Sequence, residues 1–251
     1  MFELARLVGG RRAGLAAAFV WATSVLAIQH AHFYVVEPFL VLATAAVLVA
    51  AAHVALGRGR VVLALGAVAV GLAGASKVNG LLVGVMLLAA IAWRCVPQRR
   101  WRQVAIDVAI VAAVALTTFR VLQPYAFDGV FSLDGAWLDA MRELRALQSG
   151  GDSPINVQWA DRVPVIEPLR HLVRFGFGVP ATILACAGVV GLMRNRRWSV
   201  WRDQPIRLLL VAWVLICGLV VLPRWVTTMR YMLPAYPALA AGGCWCSTPD
   251  A

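Results

Sequence analysis

Lysine and acid are what this chain has least of. Of its 23 basic residues, only Lys77 is lysine, and just 12 residues are acidic. Charged residues make up 14% of the 251, which is too little polar surface to keep a soluble domain of this size dispersed. No P-loop, dinucleotide fingerprint or Gly-x-Ser-x-Gly elbow is present, so the common nucleotide-binding and hydrolase signatures are excluded. Cysteines number five, and Cys244-Trp-Cys246 lacks metal-binding spacing and a partner pair. Cys186 and Cys217 fall mid-span, where cysteine acts as a small apolar residue. The segment 1–12 carries Glu3 and leads to no small-residue cleavage site, so it does not read as a signal peptide.

What the chain has in abundance is apolar sequence. Hydrophobic residues are 61% of the total and the mean hydropathy is +0.78, values that call for lipid to face. The fold class expected is all-α: a polytopic transmembrane helix bundle. Apolar runs cover about 13–29, 38–56, 61–75, 78–93, 104–122, 171–193 and 206–222, with a short eighth at about 231–246. This makes one transmembrane domain over 1–251 with about seven or eight spans. The third and fourth runs are short of the ~20 residues a crossing needs. They either pack inside the bundle or meet at an unwound turn around Ser76-Lys77-Val78-Asn79.

The net charge of +11 invites a nucleic-acid reading. The arginines argue against that partner, because they sit in the connections between apolar runs. Arg6, Arg11 and Arg12, then Arg58 and Arg60, then Arg94, Arg99, Arg100 and Arg102, then Arg194, Arg196, Arg197 and Arg202 all fall on one side. By the positive-inside rule that side is cytoplasmic. The other face receives 29–37, the Lys77 turn, the long extracytoplasmic loop 123–170, and 223–230. Chemistry is expected there. Within the long loop, Leu133, Trp137, Met141, Leu144 and Leu147 make one helical stripe. Asp134 is placed to cap that helix and Gly150-Gly151 to end it, while Asp139, Arg142, Glu143 and Arg145 occupy other faces. The stripe reads as an interfacial helix roofing a site, or as an ordinary packed loop helix.

Three positions stand out chemically. Glu37 precedes Pro38, a residue suited to the first turn of a helix, so its carboxylate lies at the positive end of a helix dipole. It can serve as a functional carboxylate or as a cap. His30 and His32 lie close by, and two histidines with a carboxylate can bind a divalent metal, although the spacing is not diagnostic. Lys77 interrupts the apolar run 61–93. A lysine at mid-span costs roughly 2.5–3.5 kcal/mol, so it calls for an anionic partner, an aqueous cavity, or snorkelling to the interface. Arg230-Tyr231 opens the last apolar piece, where the guanidinium can hold a phosphate or snorkel beside an aromatic belt. Arg120 raises the same question at the end of the fifth run. Gln158-Trp159-Ala-Asp161-Arg162 is a further polar cluster that binds a sugar or pins the loop.

These residues fall in blocks that resemble the GT-C glycosyltransferase superfamily, in its bacterial branch related to protein O-mannosyltransferases and lipid A aminoarabinose transferases. The blocks, in order, are Arg6-Leu-Val-Gly-Gly-Arg11-Arg-Ala-Gly14, His32-Phe-Tyr-Val-Val-Glu37-Pro-Phe, Gly71-Leu-Ala-Gly-Ala-Ser76-Lys77 and Arg230-Tyr231-Met-Leu-Pro234. Arg120 to Phe127 and Phe175-Gly-Phe-Gly178 also look like that branch. The resemblance implies transfer of a sugar from a polyprenyl-phosphate donor to an acceptor on the outer face of the bacterial cytoplasmic membrane, in building the cell envelope. It implies phosphate binding by Lys77 and Arg230, and an organising role for Glu37 at the family's second acidic position. Substrate contacts are expected from His32, Gln158, Trp159 and Tyr231. No cofactor follows from it, and the metal question stays open. The family's main catalytic aspartate lies in a first outer loop, and this sequence matches from after that loop. The expectation is therefore a chain incomplete at both ends and lacking the main base. A flippase for a lipid-linked anion and a non-catalytic membrane partner are the competing functions.

Overall fold

The computed structural model describes residues 1–33, 35–130, 132–150, 154–159, 163, 165–194, 205–226 and 228–243, with 154–155 and 188–194 described as backbone. It is all-α apart from one two-stranded ribbon. Three helical segments are long and apolar enough to cross a membrane: Glu37–Ala55, Val78–Cys95 and Trp101–Leu122.

α1 (Phe2–Ala22) and α2 (Val25–His32) pass the same test only as a pair, bent by 55° at the break between them, the geometry of a broken span or a re-entrant loop. The apolar run at 13–29 predicts one straight helix here, and the sequence explains the departure. Thr23 Oγ1 turns back to the Phe19 carbonyl at 2.9 Å, a bond that competes with helix continuation. Within α1 a second break falls at Gly9-Gly10. Gly10 has φ 76° and ψ −173°, a region open essentially to glycine alone. The break folds 2–8 back along the helix, so a side chain on Gly14 would collide with the Phe2 ring at 2.9 Å.

α3 (Glu37–Ala55) is the central element. Pro38 occupies its first turn; Val47, Ala51 and Val54 are completely buried, while Phe39, Leu42 and Ala46 leave one exposed apolar stripe. A helix apolar on every side belongs in a large core or in a membrane. α4 (Arg60–Ser76) runs antiparallel beside it, close enough that a Cβ on Gly66 would meet that of Ala50 at 2.7 Å. On another face of α4, a Cβ on Gly71 would stand 2.5 Å from Thr118 of α6 (Trp101–Leu122). At Lys77 the chain becomes extended (φ −158°, ψ 127°) and re-enters as a 3-10 turn, Val78–Val83, before α5 (Gly84–Cys95). Of the two alternatives for the short third and fourth runs, the unwound turn is the one found. α4 has 17 residues, about 26 Å at 1.5 Å each, short of a ~30 Å hydrocarbon layer.

The arginine-rich end of the bundle holds an ion triad. Asp107 of α6 is fully buried, and its two oxygens receive Arg60 Nε at 3.2 Å and Arg94 Nη2 at 2.7 Å. Arg94 also donates to the Arg58 carbonyl at 3.1 Å. The triad joins α4, α5 and α6 at the end opposite Lys77.

After α6 comes the ribbon of β1 (Phe127–Asp128) and β2 (Ser132–Leu133), and then α7 (Gly135–Gln148). Asp134 caps α7 as expected, accepting from the Trp137 N–H at 2.8 Å. None of the residues of α7 is buried. Short α8 (Pro154–Val157) and α9 (Ile166–His171) lead through a π turn at 172–176 to α10 (Val179–Arg194). α11 (Pro205–Val221), a 3-10 turn at Met229–Ala235, and α12 (Tyr236–Gly243) complete the described chain. Trp213 of α11 donates from Nε1 to the Pro234 carbonyl at 2.8 Å, fixing that turn against the bundle.

Candidate functional site

Glu37, Lys77 and Arg230 come from three separate parts of the sequence and meet at one end of the bundle. Glu37 is buried, and one of its oxygens, Oε1, lies 3.7 Å from Lys77 Nζ and 3.7 Å from Arg230 Nε. Each residue reaches this point for a local reason. Glu37 starts α3 ahead of Pro38. Lys77 sits where the helix breaks. The break is sharp because glycine allows close contact on both sides: a Cβ on Gly80 would lie 2.3 Å from the Ala73 carbonyl oxygen, and one on Gly74 would lie 2.4 Å from Leu81. Gln123 at the end of α6 donates to the Ala75 carbonyl at 2.8 Å and satisfies an open acceptor at the end of α4. Arg230 and Tyr231 ride on the 3-10 turn that Trp213 anchors.

Tyr231 completes the cluster. Lys77 Nζ stands 4.1 Å above its ring centroid, and the Arg230 guanidinium carbon is 5.6 Å from the same centroid. Both lie within cation–π range. At 3.7 Å the contacts to Glu37 are ion pairs too long for hydrogen bonds. Each is worth about 4 kcal/mol gross near a protein surface. Two cations share one carboxylate, so these three side chains carry a formal excess of one positive charge. That excess suits a second anion.

The cluster lies where two cavities meet. The inner one is a narrow crevice. It is apolar, lined by Leu40, Leu82, Trp213, Cys217 and Val221, with Lys77, Arg230 and Tyr231 also on its wall. The outer one is a cleft of about 2170 Å³ under α7. Lys77, Asn79 and Arg224 line both. With its amide oriented to satisfy both groups, Asn79 Oδ1 accepts from Arg224 Nη1 at 3.1 Å and Nη2 at 3.3 Å. Arg224 Nε donates to the Val220 carbonyl at 2.9 Å.

Other sequence candidates lie elsewhere. His32 is on the exposed end of α2 with Nδ1 held by the Ile28 carbonyl at 2.8 Å, and it lines neither cavity. His30 is tied in the same way to Leu26 and faces a separate apolar cleft between α1, α2 and α3. The donors His30, His32 and Glu37 are not assembled, and among the described residues no group of three His, Cys, Asp or Glu stands close enough to hold a metal ion. Gln158 is exposed and Trp159 half-buried just after α8, and neither lines the two cavities. Asp161 and Arg162 lie outside the described residues. Arg120 does not reach the site; it binds the Gly129 carbonyl at 2.8 Å and stacks 4.9 Å from the Phe127 ring, holding the ribbon.

Three features were not anticipated. Asn79 and Arg224 form the partition between the cavities. Asp107 anchors the opposite end, and its signal was available: a lone acid inside an apolar run is rarely left unpaired. Arg145, expected on a face of α7 other than its apolar stripe, lines the cleft with Trp137, Met141, Leu144 and Gln148. Steps of 4, 7, 8 and 11 from Trp137 all return to one helical face.

Comparison with protein-family models, with curated proteins and with solved structures finds no match. The fold and site define an all-α protein with membrane-spanning-type helices and a cationic cluster between an apolar pocket and an open cleft.

Proposed function

We propose that this chain is a membrane glycosyltransferase that moves a sugar from a polyprenyl-phosphate donor to an acceptor at the outer membrane face. The observation that carries the reading is the convergence of Lys77 and Arg230 on Glu37, beside an apolar pocket. The amphiphilic donor has the matching pattern, a hydrocarbon tail joined to a phosphate. The start of its tail suits the narrow apolar pocket lined by Trp213, Cys217 and Val221, and its phosphate suits the unbalanced positive charge.

In the transfer, the acceptor hydroxyl attacks the anomeric carbon, the carbon–oxygen bond to phosphate breaks, and the bonding pair leaves on the phosphate oxygen. Lys77 and Arg230 stabilise that developing charge. Glu37 is already held between two cations. Its role is to position them, and the acceptor proton goes to another base.

The test is transfer of radiolabelled sugar from a polyprenyl-phosphate donor in membranes carrying the chain. Transfer that is lost in Lys77→Ala and in Glu37→Gln supports the assignment. Undiminished transfer in both variants sinks it. Movement of donor across the vesicle wall without a new glycosidic bond would instead make this a flippase.

A further inference from the structure

The cleft under α7 has a composition of its own. α7 directs Trp137, Met141 and Leu144 into it, yet no residue of the helix is buried. Trp137 and Met141 are half-buried and Leu144 is exposed, so the apolar stripe is only partly covered by the bundle. Phe119 and Trp225 supply apolar surface from other elements, and the Phe119 and Trp137 rings stand 6.5 Å apart, edge to face. Gly150 (φ 89°) brings the end of the loop against Trp225, where a Cβ would lie 2.9 Å from the indole. The walls also carry Lys77, Arg145 and Arg224, and no carboxylate is among the described residues that line them. Arg142 pairs with Asp139 at 2.7 Å, whereas Arg145 makes no ion pair among the described residues.

We propose that this cleft is a binding site for an anionic amphiphile, with Trp137, Met141 and Leu144 covering its apolar part and Arg145 contacting its negative group. Apolar walls alone would fit any lipid; charge complementarity selects an anion. Because the cleft opens onto Lys77, the occupant places one end beside the donor phosphate. Under the glycosyltransferase reading, on which this role rests, it is the acceptor: a lipid-anchored molecule whose hydroxyl reaches the Lys77 end while its phosphate or carboxylate sits at Arg145.

The experiment measures binding to the purified chain in zwitterionic nanodiscs. The probes are dihexanoyl phosphatidic acid, dihexanoyl phosphatidylcholine and inorganic phosphate. The expected result is that phosphatidic acid binds at least tenfold more tightly than the other two. Arg145→Gln should weaken that binding about tenfold, since it removes one charge-assisted contact. Arg142→Gln removes the same charge from the other face of α7 and should change nothing. Equal binding of the two lipids, binding of inorganic phosphate as tight as that of phosphatidic acid, an unaffected Arg145→Gln, or an equal loss in both arginine variants each overturns the proposal. Binding of free polyprenyl phosphate is measured in parallel. If that fails while phosphatidic acid still binds through Arg145, the glycosyltransferase reading falls and the cleft stands; the reverse removes only the cleft.

Discussion

Lys77 Nζ lies 3.7 Å from Glu37 Oε1, across the gap between the start of α3 and the break after α4. Forty residues of sequence separate the two, and the antiparallel pairing of α3 with α4 returns one to the other. Arg230 approaches the same oxygen from a third element. Glu37 is thus the counter-ion that lets two cations stand side by side. Glu37→Gln leaves them facing each other with a neutral amide. Both cations are partly exposed, so the expected loss is about 1–3 kcal/mol, less than for a fully buried pair. Thermal unfolding in detergent reads this directly, and raised ionic strength should recover part of the loss by screening. An unshifted midpoint contradicts the counter-ion role.

Tyr231 separates ring from hydroxyl. If its contribution is the aromatic face under Lys77, Tyr231→Phe should keep anion affinity within about twofold. Tyr231→Ala should lower it about five- to tenfold, in line with a partly desolvated cation–π contact of ~1–2 kcal/mol. Titration with a short-chain polyprenyl phosphate distinguishes the two. Equal losses in both variants would mean that the hydroxyl, and not the ring, is the contact.

The sharp re-entry after Lys77 depends on glycine. A Cβ at Gly80 would sit 2.3 Å from the Ala73 carbonyl oxygen, a backbone atom that cannot swing aside. Gly80→Ala should therefore push the 3-10 turn off α4 and carry Lys77 away from Glu37, costing about 1–3 kcal/mol as overpacking does. The expected signature is a loss of phosphate-dependent binding together with a lower unfolding midpoint. Gly59→Ala is the control, since nothing lies within 4 Å of its added Cβ. A Gly80→Ala protein that binds and unfolds like the parent would show that the turn is not held by this contact.

The opposite end of the bundle tests the difference between holding the fold and doing chemistry. Asp107→Asn leaves two arginines, one of them (Arg60) largely exposed, against a buried neutral amide and should cost about 1–3 kcal/mol. Asp139→Asn breaks only an exposed pair on α7 and should cost under about 1 kcal/mol. Thermal midpoints of the two variants rank them. Ligand affinity of the Asp107→Asn protein that remains folded should be unchanged, because the triad lies at the far end from Lys77.

The helical class and most helix positions were legible from apolar runs, because a bundle in lipid must be apolar over long stretches. Kinks were less legible. Thr23 and Gly10 bend or break the first helix through local hydrogen bonding and backbone freedom, neither of which alters hydropathy. Glu37, Lys77 and Arg230 stood out because charge at the edge of an apolar run is costly. Their meeting was not visible, since it depends on how α3, α4 and the 229–235 turn pack. An apolar stripe alone does not reveal Arg145, because it shares the helical face of Trp137 and Met141 at steps of 8 and 4 residues. Asp107 was passed over although the cost of burying an acid applies to it as much as to Lys77.

The most direct measurement is equilibrium binding of free polyprenyl phosphate to the purified chain, in the parent, in Lys77→Gln, in Arg230→Gln and in the double variant. Each cation should contribute about tenfold, and the double variant should lose roughly a hundredfold, with the parent's affinity falling as salt is raised. Affinity that is the same in all four proteins would contradict a phosphate site at Lys77 and Arg230, and the proposed function with it.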